Sequence, residues 1–215
     1  MGHLRIAPAL LLAILPVSCR SDDNRIRVAC VGDSITLGGG EDRRDNYPGN
    51  LQRLLGDGYN VRNFGVNGVT VVRQADQPYV QESAFTRAKD FKPNVVVIAL
   101  GTNDTKIQNW GHVESFVADY KALVAEFQAL DPKPQIYLCI PVPAFLDGDW
   151  INKDRVRELR PKVELVGKDL NLPVIDLYTA LDGRPDLFPD NVHPNPDGAR
   201  LIAEAVHARL VAKYK

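Results

Sequence analysis

The sequence predicts an α/β fold, in which a five-stranded parallel sheet carries helices on both faces and so forms three layers. Three observations support this prediction. The 215 residues suit one domain, apolar runs of strand length alternate with helical patterns, and one run, Val95–Leu100, contains no polar residue. A strand without polar alternation is typical of a sheet that is covered on both faces. The common strand order for such a sheet is 2-1-3-4-5.

Five apolar runs are predicted as the strands, and in chain order they are Ile26–Val31, Val61–Phe64, Val95–Leu100, Gln135–Ile140 and Leu172–Asp176. The first run contains Cys30 and the fourth contains Cys139. A free cysteine in an apolar strand behaves as a small buried hydrophobe. We therefore interpret both cysteines as core residues rather than as a disulfide.

Three segments have apolar residues at helical spacing. From Val113 to Phe127 these residues recur three or four places apart and form one stripe. A second pattern extends from Val156 to Leu170, and Pro161 is expected to kink this helix or to make it restart. A last helix is predicted from Pro196 to Val211.

Residues 1–24 are predicted to form an export signal and a short polar linker, and residues 25–215 the folded domain. The apolar stretch Ile6–Val17 is too short to cross a bilayer but has the length of a signal-peptide core. A small residue before Cys19 resembles a bacterial lipobox, although Pro16 stands where leucine is usual. We expect an exported protein, periplasmic or extracellular, whose one contact with a membrane would be a lipid anchor at Cys19.

Composition and motifs exclude several function classes. The 26 Lys and Arg residues nearly balance the 27 Asp and Glu residues, so no broad electropositive field is available to gather nucleic acid. Three cysteines and four histidines are widely scattered, which argues against a zinc site. The turn after the first strand has neither the glycine pattern of a dinucleotide site nor the lysine of a P-loop. No metal and no cofactor is expected.

Ser34 is the candidate nucleophile. It lies in the turn Gly32-Asp33-Ser34 directly after the first predicted strand, and ligands of open α/β sheets bind outside the carboxyl ends of the strands. A phosphatase with an aspartyl nucleophile would need a second acidic residue two places after Asp33, where Ile35 stands. Taken alone, Ser34 is also compatible with a helix N-cap.

Asp190 and His193 are the candidate partners of this serine. A serine hydroxyl is a poor nucleophile without a base, and the base needs a carboxylate to orient it. Asp190 and His193 are three residues apart in a proline-bounded loop, so one turn could bring them together. The loop has to reach back over about three strand spacings, roughly 15 Å. The run from Leu177 to Val192 is long enough for that distance.

Two further segments can supply donors for an oxyanion, which an acyl-transfer site has to stabilise. Gly68 follows the second strand and offers a backbone N–H in a glycine-containing turn. Asn103 follows the third strand and offers its side-chain amide. In the order 2-1-3-4-5, the first three strands are neighbours. Ser34, Gly68 and Asn103 are then expected along one edge of the sheet.

Four sequence blocks together resemble the SGNH (GDSL) hydrolase superfamily: Gly32-Asp33-Ser34, Gly68, Gly101-Thr102-Asn103-Asp104 and Asp190-Asn191-Val192-His193. The resemblance implies a flavodoxin-like fold and ester hydrolysis without a metal. It also implies that Ser34 is the nucleophile, that His193 acts as base and then as acid, and that Asp190 orients it. The oxyanion hole would consist of the Ser34 and Gly68 N–H groups and the Asn103 amide.

Other segments, among them Leu187-Phe188-Pro189-Asp190, are similar to bacterial exported enzymes that act on sialate or other carbohydrate O-acetyl esters. This similarity implies a small-molecule or glycan ester as the substrate. Trp110 is a candidate for stacking on a sugar ring, and Trp150 has the same two interpretations, sugar stacking or loop packing. Asp33 and Asp104 are further candidate substrate contacts.

Two alternative functions remain open at this point. One is a lipase or thioesterase, of the lysophospholipase kind, that uses the same triad on longer acyl chains. The polar and aromatic residues predicted at the mouth of the site, among them Gln108 and Asn109, favour a short acyl group instead. The other is a carbohydrate-binding module without catalysis, against which the full set of candidate catalytic residues argues.

Overall fold

Five parallel strands form the centre of the protein in a computed structural model, which describes residues 24–39 and 45–212. The strands are β1 (Ile26–Gly32), β2 (Tyr59–Gly65), β3 (Val95–Ala99), β4 (Gln135–Ile140) and β5 (Val174–Asp176). They lie in the order β2-β1-β3-β4-β5, and each neighbouring pair is parallel. The predicted fold class and strand order are therefore confirmed. The predicted export signal, with Cys19, lies outside the described residues.

The inner strands β1 and β3 are apolar because both faces of the sheet are covered. Successive side chains of a strand point to opposite faces. Ala29, Val31, Val96 and Ile98 accordingly belong to one core cluster. Val28, Cys30, Val95 and Val97 belong to the other.

Helices of the described residues form the two outer layers; in chain order they are α1 (Ser34–Leu37), α2 (Tyr47–Leu55), α3 (Ser83–Asp90), α4 (Ile107–Trp110), α5 (Phe116–Gln128), α6 (Lys153–Leu170), α7 (Leu177–Leu181) and α8 (Pro196–Val211). Helices α3, α5 and α6 bury their apolar side chains in the first core cluster. Helices α2, α7 and α8 bury theirs in the second. Both faces of the sheet are thus withdrawn from water. None of the described helices is long and apolar enough to cross a membrane.

The two strand cysteines are core residues, as the sequence predicts. Cys30 and Cys139 are both free and fully buried. Burial raises the pKa of the Cys30 thiol to about 12, so this residue is not ionised at neutral pH. Neither cysteine therefore offers a thiolate nucleophile, which leaves nucleophilic chemistry to other side chains.

Helix α6 differs from its prediction. Pro161 lies inside it, yet the helix continues over all 18 residues from Lys153 to Leu170 and does not restart. Pro161 is exposed, whereas Leu159 and Val163 on either side are fully buried against the sheet. This packing holds the helix together although Pro161 has no N–H to donate to the carbonyl of Arg157.

The strand register aligns the carboxyl ends of β1, β2 and β3. The predicted site residues follow these three strand ends in the sequence. Gly32, the last residue of β1, lies opposite Gly65 of β2 and Ala99 of β3. Since the strands are parallel, the segments that follow all three leave the sheet at the same edge. This edge is where open α/β sheets bind their ligands.

We predict that Pro161→Ala stabilises the protein. The substitution restores one N–H donor inside an exposed helical turn and should raise the free energy of unfolding by about 1–3 kcal/mol. Urea unfolding followed by circular dichroism measures the change. Pro196→Ala is the matched control, because Pro196 is the first residue of α8, where proline is favourable. An increase for Pro196→Ala equal to that for Pro161→Ala would contradict this explanation.

Candidate active site

Ser34 is the first residue of the one-turn helix α1, directly after β1. The N-cap of this helix is Asp33, whose Oδ1 accepts a hydrogen bond of 2.9 Å from the N–H of Ile35. The capping role that the sequence left open for Ser34 therefore belongs to its neighbour. The Ser34 hydroxyl, half-buried at the sheet edge, is free to bond elsewhere.

Two glycines allow the tight approach that presents Ser34. A Cβ atom on Gly32 would lie 2.7 Å from the carbonyl oxygen of Ala99. A Cβ atom on Gly65 would lie 2.8 Å from the carbonyl oxygen of Asp33. Real Cβ atoms do not approach other heavy atoms so closely, so a larger residue would push α1 away from the strand ends. The sequence therefore needs glycine at both positions to hold Ser34 against the sheet.

The structure brings Ser34, His193 and Asp190 into one line of hydrogen bonds. The Ser34 Oγ and His193 Nε2 atoms are 2.8 Å apart. On the other side of the ring, His193 Nδ1 lies 2.6 Å from Asp190 Oδ2. Because an ionised carboxylate can only accept hydrogen bonds, Nδ1 carries the ring proton and Nε2 is left to accept the Ser34 hydroxyl.

The loop around Asp190 fixes the carboxylate and favours its charged form. Asp190 Oδ1 accepts the backbone N–H groups of Val192, at 3.0 Å, and of His193, at 2.6 Å. Burial by itself would raise the pKa of Asp190, but the hydrogen bonds from His193 and Val192 outweigh it and lower that pKa below its usual value. Asn191, between them, has a φ of 66°, which gives this loop its sharp turn. Asp190 is therefore ionised whenever the imidazole needs a negative partner.

Gly68 and Asn103 line the same cavity as Ser34 and His193, which has a volume of about 300 Å³. Gly68 has a φ of 78°, a backbone conformation that glycine adopts without strain. The side-chain amide of Asn103 is buried and donates to the carbonyl of Val69 at 3.1 Å. An amide nitrogen has two N–H donors, so a second one remains for a ligand in the cavity.

Asp33 and Asp104, which the sequence suggests as substrate contacts, lie behind the site instead. Both are 1% exposed. The Asp104 carboxylate accepts the N–H groups of Val71, at 3.0 Å, and of Val72, at 2.9 Å. Its place in the structure is therefore to hold the segment after β2 against the segment after β3. The expectation of direct substrate contact finds no support in the position of either carboxylate.

Asn109 makes a second connection between these two segments that the sequence did not reveal. Its Nδ2 donates to the carbonyl of Asn103 and to Asp76 Oδ1, each at 2.9 Å, and its Oδ1 accepts the N–H of Asp76 at 3.0 Å. Asp76 also lies 3.6 Å from the ammonium of Lys106, which lines the cavity. The sequence predicts Asn109 at the mouth of the site, but the residue is buried, at 1% exposed. Asn109 pairs with Asp76, 33 positions away, and no local sequence pattern predicts a contact over that separation.

The two tryptophans have different surroundings. Trp110 is half-buried and packs against the first core cluster, with the Arg155 guanidinium 6.0 Å from the centre of its ring. Trp150 lines the cavity, and the centre of its indole lies 6.4 Å from that of the His193 imidazole. The structure thus favours loop packing for Trp110 and brings Trp150 to the candidate site.

The described residues contain no group of three or more His, Cys, Asp or Glu side chains that could hold a metal ion.

A larger cavity of about 430 Å³ lies beside α2 and is lined by Leu37, Asn46, Pro48, Gln52 and Asn63 among others. It contains none of the three hydrogen-bonded residues Ser34, Asp190 and His193. The chemistry is therefore concentrated at the carboxyl edge of the sheet.

The family of the chain follows from comparison with known proteins. The family model described as the GDSL-like lipase/acylhydrolase family matches residues 30–201. The chain belongs to this family. The match spans the segments that contain Ser34, Gly68, Asn103, Asp190 and His193, so the GDSL-like blocks and the hydrogen-bonded line of side chains coincide.

This GDSL-like protein is similar in sequence to a named esterase. It is 39% identical over 210 residues to an acetylxylan esterase of Xylanibacter ruminicola, in an alignment that covers 87% of this chain and 44% of that protein. The chain thus spans less than half the length of that relative.

Solved structures share the fold at lower sequence identity. A carbohydrate acetylesterase family member from Sinorhizobium meliloti superposes with a TM-score of 0.73 at 22% identity, over 86% of this chain and 97% of that one. An acetyl xylan esterase superposes with a TM-score of 0.66 at 23% identity, over 86% of this chain and 100% of that one. At these identities the superpositions establish a common fold.

We predict that the buried carboxylate of Asp104 makes the GDSL-like domain less stable as pH rises. Burial raises the pKa of Asp104 to about 7, although the N–H groups of Val72 and Val71 oppose this rise. The folded state then binds this proton more tightly than the unfolded chain. Stability from this group is full below the unfolded pKa, near 4, and is lost as pH rises through about 7. Between pH 5 and 8 the loss should be on the order of 2 kcal/mol.

Urea unfolding at pH 5 and pH 8 measures this loss. Asp104→Asn has the same size and cannot ionise, so its stability should decline less over that interval. Asp190, whose pKa is lowered, is ionised in both states there and adds no slope. An equal decline in the wild type and in Asp104→Asn would show that another group is responsible.

Proposed function

We propose that this protein is a serine esterase that removes short acyl groups, in the first place O-acetyl groups, from carbohydrates. The observation that carries the proposal is the line of contacts from Ser34 Oγ through His193 to Asp190, beside a cavity that also presents Gly68 and Asn103. Membership of the GDSL-like family supports ester hydrolysis. The acetylxylan esterase relative supports an acetylated glycan as substrate.

In the first half of the proposed reaction, His193 Nε2 accepts the Ser34 proton while Oγ attacks the ester carbonyl. The carbonyl oxygen becomes negative in the tetrahedral intermediate and lies among the N–H groups of Ser34 and Gly68 and the amide of Asn103. These donors are fixed before the reaction begins, so their reorganisation costs little in the transition state. His193 then gives its proton to the sugar oxygen, which leaves as an alcohol.

The second half releases the acyl group from Ser34. Water takes the place of the sugar, gives a proton to His193 Nε2 and attacks the acyl carbonyl, whose oxygen again lies among the same donors. The Ser34–acyl bond breaks as His193 returns the proton to Oγ, and the products are the free acid and the original enzyme. Through both halves Asp190 stays ionised and stabilises the imidazolium, as in other Ser-His-Asp sites.

The cavity favours a short acyl group. It is about 300 Å³ and its lining includes the polar side chains of Asn67, Asn103 and Lys106. A long acyl chain would need a continuous apolar channel to leave water. A lipase or thioesterase activity on longer chains is the second candidate, supported by the name of the family. Relative rates on acetyl and long-chain glycerol esters distinguish the two.

We also propose that the protein acts outside the cytoplasm. The apolar stretch Ile6–Val17 and the following Cys19 have the pattern of an export signal with a lipid attachment site. Export would place the enzyme with glycans that lie outside the cell.

We predict that Ser34→Ala lowers kcat by several orders of magnitude and leaves the melting temperature close to that of the wild type. The nucleophile is then absent, while the half-buried site loses only one hydroxyl. Acetate release from acetylated xylan and thermal unfolding measure the two effects. Ser83→Ala, which removes a hydroxyl at the start of α3, is the matched control and should keep full activity. More than a few per cent of activity in Ser34→Ala would mean that Ser34 is not the nucleophile.

We predict that Asn103→Ala lowers kcat by about 10²–10³ with little change in KM, since its amide would act mainly on the charge of the transition state. Asn103→Asp should be at least as damaging, because it puts a negative oxygen where the intermediate is negative. Steady-state kinetics on one soluble acetyl ester measure both parameters. If KM alone rises in Asn103→Ala, the amide binds the ground state and is not part of the oxyanion hole.

A further inference from the structure

Trp150 is the most exposed large hydrophobic side chain among the described residues, at 52%. The next residue, Ile151, is 1% exposed and belongs to the first core cluster. Trp150 also lines the cavity of the candidate site, and cavities that bind small molecules are typically lined by hydrophobic and aromatic side chains with a few polar groups. The backbone therefore buries one of two adjacent apolar residues and turns the larger one out beside the candidate site.

The loop that carries Trp150, residues 145–152 after β4, is held by hydrogen bonds along its length. Lys153 donates to the carbonyl of Leu146 at 2.9 Å and closes the loop. In the middle, Asp149 accepts from the N–H of Ile107 at 2.8 Å. At its start, Phe145 donates to the carbonyl of Asn191, in the His193 loop, at 2.8 Å. The backbone position from which the indole projects is thus fixed by the fold.

The side on which Trp150 lies is the side that the leaving sugar has to occupy. In the proposed reaction His193 Nε2 gives a proton to the sugar oxygen, so this oxygen has to be next to the imidazole. The indole and imidazole centres are 6.4 Å apart and the rings are inclined by 52°. The sugar ring that carries the reacting oxygen, or the next ring in the chain, then lies within reach of the indole.

We propose that Trp150 is the residue that binds the sugar, by stacking its indole on the C–H face of a pyranose ring. This inference rests on the proposed function and narrows it: the substrate is a glycan whose ring contributes to binding. An indole offers a wide, rigid apolar face, and a pyranose presents aligned C–H groups to it. Asn67 and Lys106, in the same cavity, can bind the hydroxyl groups at the ring edge.

The chain offers a matched comparison, because it has two tryptophans. The ring of Trp110 has the Arg155 guanidinium near it and packs against the core, so it is not available for a sugar. Trp110→Phe leaves Trp150 as the single tryptophan, which can be excited apart from the seven tyrosines. Trp150→Phe leaves Trp110. Each variant thus reports one tryptophan, and a thermal melt shows that each is folded.

The binding experiment uses both variants with Ser34 intact, because the ligand contains no ester that could be consumed. Each protein is titrated with xylohexaose, which carries no acetyl group. The expected result is a saturable change in fluorescence when Trp150 is the fluorophore and none when Trp110 is. A change in the second protein equal to that in the first, or no change in the first, would overturn the assignment of Trp150.

The kinetic experiment compares acetylated xylo-oligosaccharides with ethyl acetate, whose leaving group has no ring. In Trp150→Ala, kcat/KM for the oligosaccharide should fall about tenfold more than kcat/KM for ethyl acetate, mainly through KM. Trp110→Phe should change neither. Equal losses on both esters would mean that Trp150 acts through His193 and would overturn the stacking role. A wild type inactive on both esters would overturn the proposed function, while the fluorescence titration judges Trp150 independently.

Discussion

The close alignment of three parallel strand ends is the constraint on which this molecule depends. Gly32 of β1 lies opposite both Gly65 of β2 and Ala99 of β3, and neither glycine has room for a Cβ atom. The chain therefore leaves the sheet three times within two strand spacings, about 10 Å. Ser34, Gly68 and Asn103 come together because of this alignment, although they are far apart in sequence. The loop after α7 then needs only to bring His193 across the same edge.

The aspartates at the carboxyl ends of the strands form two groups, because their surroundings shift their pKa values in opposite directions. Asp33 and Asp104 are buried, and burial raises their pKa values to about 6 and about 7. Asp190 keeps much of its contact with water and accepts three hydrogen bonds from its own turn, which lower its pKa. The buried pair costs stability at neutral pH but holds the strand-end segments in place. The exposed one supplies the negative charge that orients the imidazole.

Periodicity predicted the strands, the common order of such sheets predicted their arrangement, and the motifs predicted that Ser34, Gly68, Asn103 and His193 meet at the carboxyl ends of the strands. They were not sufficient where long-range packing decides. Pro161 does not interrupt α6, because buried neighbours hold the helix. Helix α2, with Pro48 and Gly49 in its first turn, was not among the predicted helices, although Tyr47 and Leu51 give it a buried apolar face. Asn109 pairs with Asp76 through a contact that no local pattern records. Trp110 ends helix α4 and Trp150 lies in the loop after β4, and only the path of the backbone decides which one faces the cavity.

The loop after β4 contributes Trp150 to the cavity lining, whereas the groups proposed to transfer protons lie on other segments. The loop is held at Phe145 by the His193 loop, at Asp149 by Ile107 and at Ile151 by the core, whereas a side chain added at Gly148 would meet only open space. Insertions or exchanges near Gly148 can therefore reshape the rim without moving the proton-transfer groups. A family built on this scaffold can acquire new substrates by altering one short surface segment, and its reaction remains the same.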